Sequence, residues 1–215
     1  MIAIVASDLD PEVRSLAVEW RSAGAAVLSA IDVCSAGWQM RVPAAESGTA
    51  VVAGRRVRTS EIRGVLVRRP AVLAEELTCI DRQDRTYVAA EANAFLVAWL
   101  HALDCPVVNR PSAGSLCGPA WNRLQWKIAC ARERIAWVDA RDDAGTRDVV
   151  VCGDHALFAK TAAQREAALR LARVAHTTLL GIRFRRGAVC GVTVAPSLST
   201  EEVRTALLDL LLSRP

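Results

Sequence analysis

The sequence predicts an α/β fold. It opens with a strand–helix–strand pattern, in which the apolar runs 2–6 and 25–31 flank an amphipathic segment. Apolar runs of strand length recur later in the chain, at 64–69 and 105–109. The 215 residues are 52% hydrophobic, which is enough to bury a substantial core. An opening βαβ unit favours a parallel sheet.

Each element has a local reason. Residues 2–6 (IAIVA) are short and wholly apolar, as a buried strand requires. Asp10 stands at an N-cap and Pro11 at the first helical position. Val13, Leu16, Ala17 and Trp20 follow at helical spacing, and Gly24 ends the helix. Residues 32–64 read as irregular apart from a hairpin at 51–57 around Gly54-Arg55. A helix is expected over 81–103, with Tyr87, Ala90, Ala94, Phe95, Val97, Leu100 and Leu103 as its apolar set. A loop at 111–119 leads into a helix at 120–134, and 135–138 reads as a short strand.

The small, polar segment 140–147 reads as a linker. Beyond it come a hairpin around Gly153-Asp154, an amphipathic helix at 162–176, strands at 179–184 and 189–194, and a last helix at 200–212. Ser199 or Thr200 is the expected cap of that helix, with Glu201 and Glu202 at its positive end.

Composition excludes several classes. A mean hydropathy of +0.21 argues against intrinsic disorder. No apolar run reaches the length of a membrane span, and the N-terminus lacks a basic n-region, so a cytoplasmic protein is expected. The formal charge is +4, and all the basic side chains except Lys127 and Lys160 are arginine or histidine. They form no long run and do not interleave with aromatics, which argues against a nucleic-acid surface. The 7 cysteines are scattered and never spaced as CxxC, so neither a zinc site nor a disulfide framework is expected, and most read as small buried hydrophobes.

Several residues stand out as site candidates. Arg68 and Arg69 end a strand, where an arginine can hold a carboxylate bidentately. The alternative is a salt bridge to Glu75, Glu76 or Asp81. Asn109, Asn122 and Arg123 flank the 111–119 loop and are candidates for a small polar or anionic ligand, with satisfaction of loop backbone as the alternative for Asn109. Cys117 sits in a loop before a helix and is a candidate nucleophile, against an idle thiol. His155, at a hairpin turn, is a candidate acid or base, although it is as isolated as His101 and His176. Trp121 and Trp126, on one expected helix, would stand about 140° apart, so one of them is expected to face a partner or ligand.

Three blocks resemble the RimK-like branch of the ATP-grasp superfamily, especially the ligases that tailor ribosomal peptides. They are 65–70 (VLVRRP), 107–113 (VVNRPSA) with 122–127 (NRLQWK), and 171–196, which ends LLGIRFRRGAVCGVTVAP. The resemblance implies a pre-ATP-grasp-like domain over 1–139, a parallel sheet with helices. It further implies a truncated ATP-grasp C-terminal α+β domain over 148–215. In that branch a Gly-Ile-Asp strand and a Leu-Glu-Val-Asn-Pro strand hold magnesium between the ATP phosphates. The matching positions here are Arg183, Thr193 and Ala195. A hard cation needs oxygen ligands, normally carboxylates, so these positions are degenerate and no metal or cofactor is expected. Arg123 stands where the family's Asn-Lys motif has lysine, and only about a dozen residues between Ile135 and Val149 replace its central lid subdomain.

The expected function is therefore that of a pseudoenzyme, a binding or accessory protein in modified-peptide or specialised-metabolite biosynthesis. The expected partners are a peptide or anionic small molecule, a partner ligase, and a second copy in a homodimer. One alternative is an ATP-independent enzyme in which Arg68 or Arg69, Asn109 and Arg123 anchor an anionic substrate and Cys117 or a histidine acts as acid or base. Another is a minimal ATP-dependent ligase subunit that relies on Lys160 and Arg183 for phosphate.

Overall fold

The computed structural model describes residues 1–41, 47–139 and 148–213. The expected linker at 140–147 lies outside the described residues. The chain divides into two compact units, Met1–Cys117 with Leu211–Pro215, and Gly118–Leu210. The fold is mixed α/β.

In the first unit, strand β1 (Ile2–Val5) is buried along its whole length. Helix α1 (Pro11–Glu19) follows, with the Asp10 carboxylate accepting from the amides of Glu12 and Val13. This satisfies donors that the first helical turn leaves unpaired. Val13 and Leu16 face inward, and Gly24, at φ 74°, closes the segment in the left-handed region. Strand β2 (Ala25–Leu28) then pairs parallel to β1. Strand β5 (Gly64–Val67) pairs parallel to the other side of β1, and β6 (Val107–Val108) adds to β5. The order β2-β1-β5-β6 puts the reversal of strand order between β1 and β5.

The stretch expected to be irregular holds a short helix, α2 (Ala30–Val33), and a hairpin of β3 (Thr49–Val52) and β4 (Arg55–Arg58). Its two turn residues, Ala53 and Gly54, both have positive φ, at 51° and 71°, the backbone of a type I′ turn that matches strand twist. Asp32, 5% exposed, ties these pieces together. One carboxylate oxygen accepts from the Ser29 amide at 2.8 Å and the Ser29 hydroxyl at 3.1 Å, and the other accepts from the Gly54 amide at 2.7 Å. The Asp32 carbonyl accepts from the Trp38 indole at 2.8 Å. Trp38 in turn packs edge-on against Phe95 and Trp99.

Helix α3 (Arg85–Ala102) starts four residues later than expected, because 81–84 form a turn. Its buried face is Ala89, Ala92, Leu96, Trp99 and Leu100, whereas Tyr87, Ala90 and Ala94 are exposed. The helix is apolar on nearly every side, so its sequence pattern did not select the face that packs.

In the second unit, helix α4 (Arg123–Arg132) is followed by β7 (Val149–Cys152), β8 (His155–Leu157), α5 (Ala162–Val174), β9 (Leu179–Arg185), β10 (Ala188–Thr193) and α6 (Glu201–Leu212). The sheet order is β10-β9-β7-β8, antiparallel throughout. Residues 135–138 contribute only a bridge from Trp137 to Val189.

The sheet is two-faced. Leu180 and Ile182 of β9, Val149 and Val151 of β7, and Val189 of β10 pack with Trp126 and Cys130 of α4 and Leu171 of α5. Gly181 and Arg183 take the opposite face by strand alternation. On that face a Cβ at Gly181 would meet the Pro196 Cβ and the Thr193 methyl, both at 2.9 Å. Leu210 of α6 comes within 3.3 Å of where a Cβ on Gly153 would lie. The Thr200 hydroxyl does not cap α6: its oxygen is buried and finds no hydrogen-bond partner. Trp121 precedes α4 and is not on it. The two indoles can therefore meet edge-on at 4.7 Å, and both pack on the same core, contrary to the expected divergence.

All seven cysteines are free, and Cys117, Cys130, Cys152 and Cys190 are buried. Among the described residues, no helix is long and apolar enough to cross a membrane.

Two predictions follow from the second unit. Gly181→Ala forces Pro196 or Thr193 to move, and overpacking of this kind costs about 1–3 kcal/mol, to be read as a fall in the urea midpoint. Burial pushes the Cys152 thiol up to about 12, with the Asp209 charge adding to it, and the Cys130 thiol up to about 11, from an ordinary value of 9.0. Their folded pKa values are raised, so their stabilising contribution is complete below pH 9.0 and is lost as pH rises towards 12. The double variant Cys130→Ala/Cys152→Ala should lose stability less steeply than the parent across that window, as measured by denaturant midpoints at stepped pH.

Candidate functional site

The carboxyl end of the first sheet gathers four of the expected site residues. Arg69 is buried, with its side chain 6% exposed. It donates to the carbonyls of Ala71 at 2.9 Å and Ala6 at 3.3 Å, and to the Glu76 carboxylate. Its bonds tie the end of β1 to the loop after β5. This is the salt bridge to Glu76 weighed above as the alternative.

Arg68 points the other way, also with a side chain only 6% exposed, and meets Glu12 at 3.3 Å. Burial pulls its guanidinium below the usual arginine range, and the charges of Glu12, Asp10 and Cys117 oppose that pull. Glu12 lies in the first turn of α1. The pair thus spans β1's helix and β5 at the reversal of strand order, where ligands bind in open α/β sheets. Cys117 is 3% exposed, and its sulfur lies 3.5 Å from the Ser115 hydroxyl. The Leu116 amide donates to the Pro70 carbonyl at 2.8 Å, which holds this loop beside the arginines. Asn109, just past β6, is 2% exposed.

In the second unit, Asn122 is the N-cap of α4. Its side chain accepts from the Gln125 amide at 3.1 Å, and the Gln125 side chain accepts from the Asn122 amide at 2.8 Å, a reciprocal capping box. Arg123 is exposed and donates to Asp139 at 2.9 Å, with its guanidinium 5.9 Å from the Trp137 ring centre. Asp139 also accepts from Lys127 at 3.0 Å and from the Trp137 indole at 2.8 Å. The bonds from Trp137, Lys127 and Arg123 hold its carboxyl well below the usual carboxylate range. His155 is exposed on β8, opposite Cys152. Among the described residues, no three His, Cys, Asp or Glu side chains cluster as metal ligands do.

Arg183 lies on β9, Thr193 ends β10, and Ala195 follows two residues later. Thr193 lies opposite Gly181, and Gly191 lies opposite Arg183. The Thr193 hydroxyl accepts from the Ala195 amide at 3.2 Å, so it is used within its own turn. The Arg183 Nε donates to Asp148 at 2.9 Å. A cationic guanidinium, a hydroxyl engaged by backbone, a methyl group and one arginine-paired carboxylate do not fit magnesium, which needs oxygen donors and uncompensated negative charge. Asp148 and Arg183 line a cavity of about 230 Å³ with Val150, Phe158, Thr200 and Val203.

Glu12, Asp139 and Asp148 were not among the sequence candidates. Each is an ordinary acid in the sequence, and the arginine that meets it lies 56, 16 or 35 positions away. The one available signal was Asp148's position directly before an apolar strand.

Solved structures share this architecture along the whole chain. The ATP-grasp ligase PsnB, complexed with a minimal precursor, magnesium and ADP, superposes with a TM-score of 0.69 at 12% identity, over 99% of this chain and 98% of that one. The fold is that of the ATP-grasp ligases. The macrocyclase MdnC of Microcystis aeruginosa, bound to its precursor peptide MdnA, matches with a TM-score of 0.69 at 9% identity, over 98% of this chain and 99% of that one. A RimK-domain ATP-grasp protein from Sphaerobacter thermophilus matches with a TM-score of 0.52 at 18% identity, over 99% of each chain. No family model matches the sequence, and no curated protein matches it. The likeness to these ligases thus extends along the whole chain at low sequence identity.

Breaking a buried ion pair leaves an uncompensated charge and costs about 3–5 kcal/mol. Arg69→Met also strips donors from the Ala6 and Ala71 carbonyls. It should lower unfolding free energy by about 3 kcal/mol, measured by equilibrium urea denaturation.

Proposed function

We propose that this protein is a nucleotide-independent member of the ATP-grasp fold that serves peptide modification as a binding or accessory protein. The observation that carries the reading is Arg183. It stands where the resemblance implies a magnesium-binding carboxylate, and its guanidinium is held by Asp148 at 2.9 Å. Phosphoryl transfer depends on metal ions and positioned cations to neutralise developing charge, and an arginine already neutralised by its own carboxylate does not replace them. The short segment between Ile135 and Val149, where the resemblance implies a lid subdomain, supports the same reading.

The peptide context rests on the neighbours. PsnB and MdnC were each solved with precursor peptides, and we extend that setting to this chain. A binding role also needs surface to bind with. Leu124 and Ile128, four residues apart on α4, are 63% and 45% exposed. Apolar side chains at this spacing form one patch, which suits a partner ligase or a second copy of the chain in a homodimer.

Calorimetric titration with ATP and magnesium, with ADP as control, tests the reading. The expected result is no saturable heat and no thermal shift. Saturable binding would overturn it and restore the ligase reading, with Lys160 and Arg183 as the first positions to substitute.

A further inference from the structure

The cavity on the outer face of the second sheet has a composition that selects its ligand. Its charged members, Asp148 and Arg183, are opposite in sign and joined at 2.9 Å, yet their side chains remain 21% and 39% exposed. The pair therefore lines the cavity instead of being sealed beneath it. A plain anion drawn to Arg183 meets the Asp148 carboxylate, and a plain cation meets the converse. A ligand carrying both charges a short distance apart satisfies both partners. Val150, Phe158 and Val203 supply an apolar wall, and the buried Thr200 hydroxyl at the cavity lacks a hydrogen-bond partner. The volume, about 230 Å³, lies below the roughly 300–1,000 Å³ of pockets that hold drug-sized ligands. It suits a ligand of single-residue size.

We propose that this cavity binds a free α-amino acid with an apolar side chain, as its zwitterion. The carboxylate lies on the Arg183 guanidinium, a planar five-donor fork suited to carboxylates. The ammonium lies on Asp148, and the side chain rests against Val150, Phe158 and Val203. This inference goes beyond the nucleotide-independent reading and does not depend on it, because amino-acid and nucleotide binding are read in separate titrations.

The test is calorimetry of the full chain with leucine, valine, phenylalanine and methionine. N-acetyl-leucine and leucine amide serve as probes that each lack one charge. Saturable binding of at least one amino acid is expected in the millimolar range or tighter, with either capped leucine at least about tenfold weaker than leucine, or than the best binder's own capped forms. Arg183→Met and Asp148→Asn should each weaken binding by about tenfold or more. Val203→Phe, which fills the cavity and leaves the ion pair in place, should abolish binding while circular dichroism stays unchanged, and it decides the matter if either charge variant fails to fold. No binding of any of the four amino acids, equal binding of the capped forms, or undiminished binding by Val203→Phe would each overturn the proposal.

Discussion

The second unit depends on the two-sidedness of one strand. β9 lies between β7 and β10, and its alternate residues have opposed duties. Leu180 and Ile182 belong to the core shared with α4 and α5, and Gly181 and Arg183 belong to the face that carries the cavity. A slip of one residue would exchange the two sets, placing a guanidinium in the core and leucine at the cavity. Register is held by two neighbours at once, with Ile182 opposite both Val149 and Val192. The bulge at Cys190 absorbs the mismatch further along β10. Glycine at 181 is required by the same constraint, since Pro196 and Thr193 already occupy the space beside it.

The same constraint governs what the outer face of β9 can carry. The outer face needs a side chain at 183 that is compensated, whatever its sign. Arginine at 183 with aspartate at 148 is an internally neutral solution. It leaves the core on the other face untouched. The packed core and the cavity lining thus occupy opposite faces of the same strand.

Much of this was legible in the sequence because it is local. The cap at Asp10, the stop at Gly24, the β3–β4 hairpin and the order of the last five elements follow from spacing and turn chemistry within a few residues. What failed was non-local or depended on a boundary. The angular argument for Trp121 and Trp126 assumed one helix, but the N-cap at Asn122 puts Trp121 outside it. The packing face of α3 was ambiguous because a helix apolar all round has no stripe to read. The ion pairs joined residues 56 and 35 positions apart for Arg68–Glu12 and Arg183–Asp148, and no period in a single sequence encodes such distances. The bland alternative for Arg69, a local acid at Glu76, was readable because it lies 7 residues away.

Asp32 has a consequence of another kind. The helix start at Ser29, the turn amide of Gly54 and the indole of Trp38 all bond to this one residue. The β3–β4 hairpin forms a two-stranded sheet of its own, joined to β2 by a bond from the Ala53 amide to the Val27 carbonyl at 3.1 Å. A two-stranded ribbon is marginal alone, so its persistence is borrowed through a buried carboxylate. The Asp32 carboxylate and the Ala53–Val27 bond, with buried Ala50, Val51 and Val52, couple the hairpin to the rest of the unit. In the language of local opening, releasing the hairpin breaks the Asp32 bond to Gly54 together with the Ala53–Val27 bond and uncovers three buried side chains.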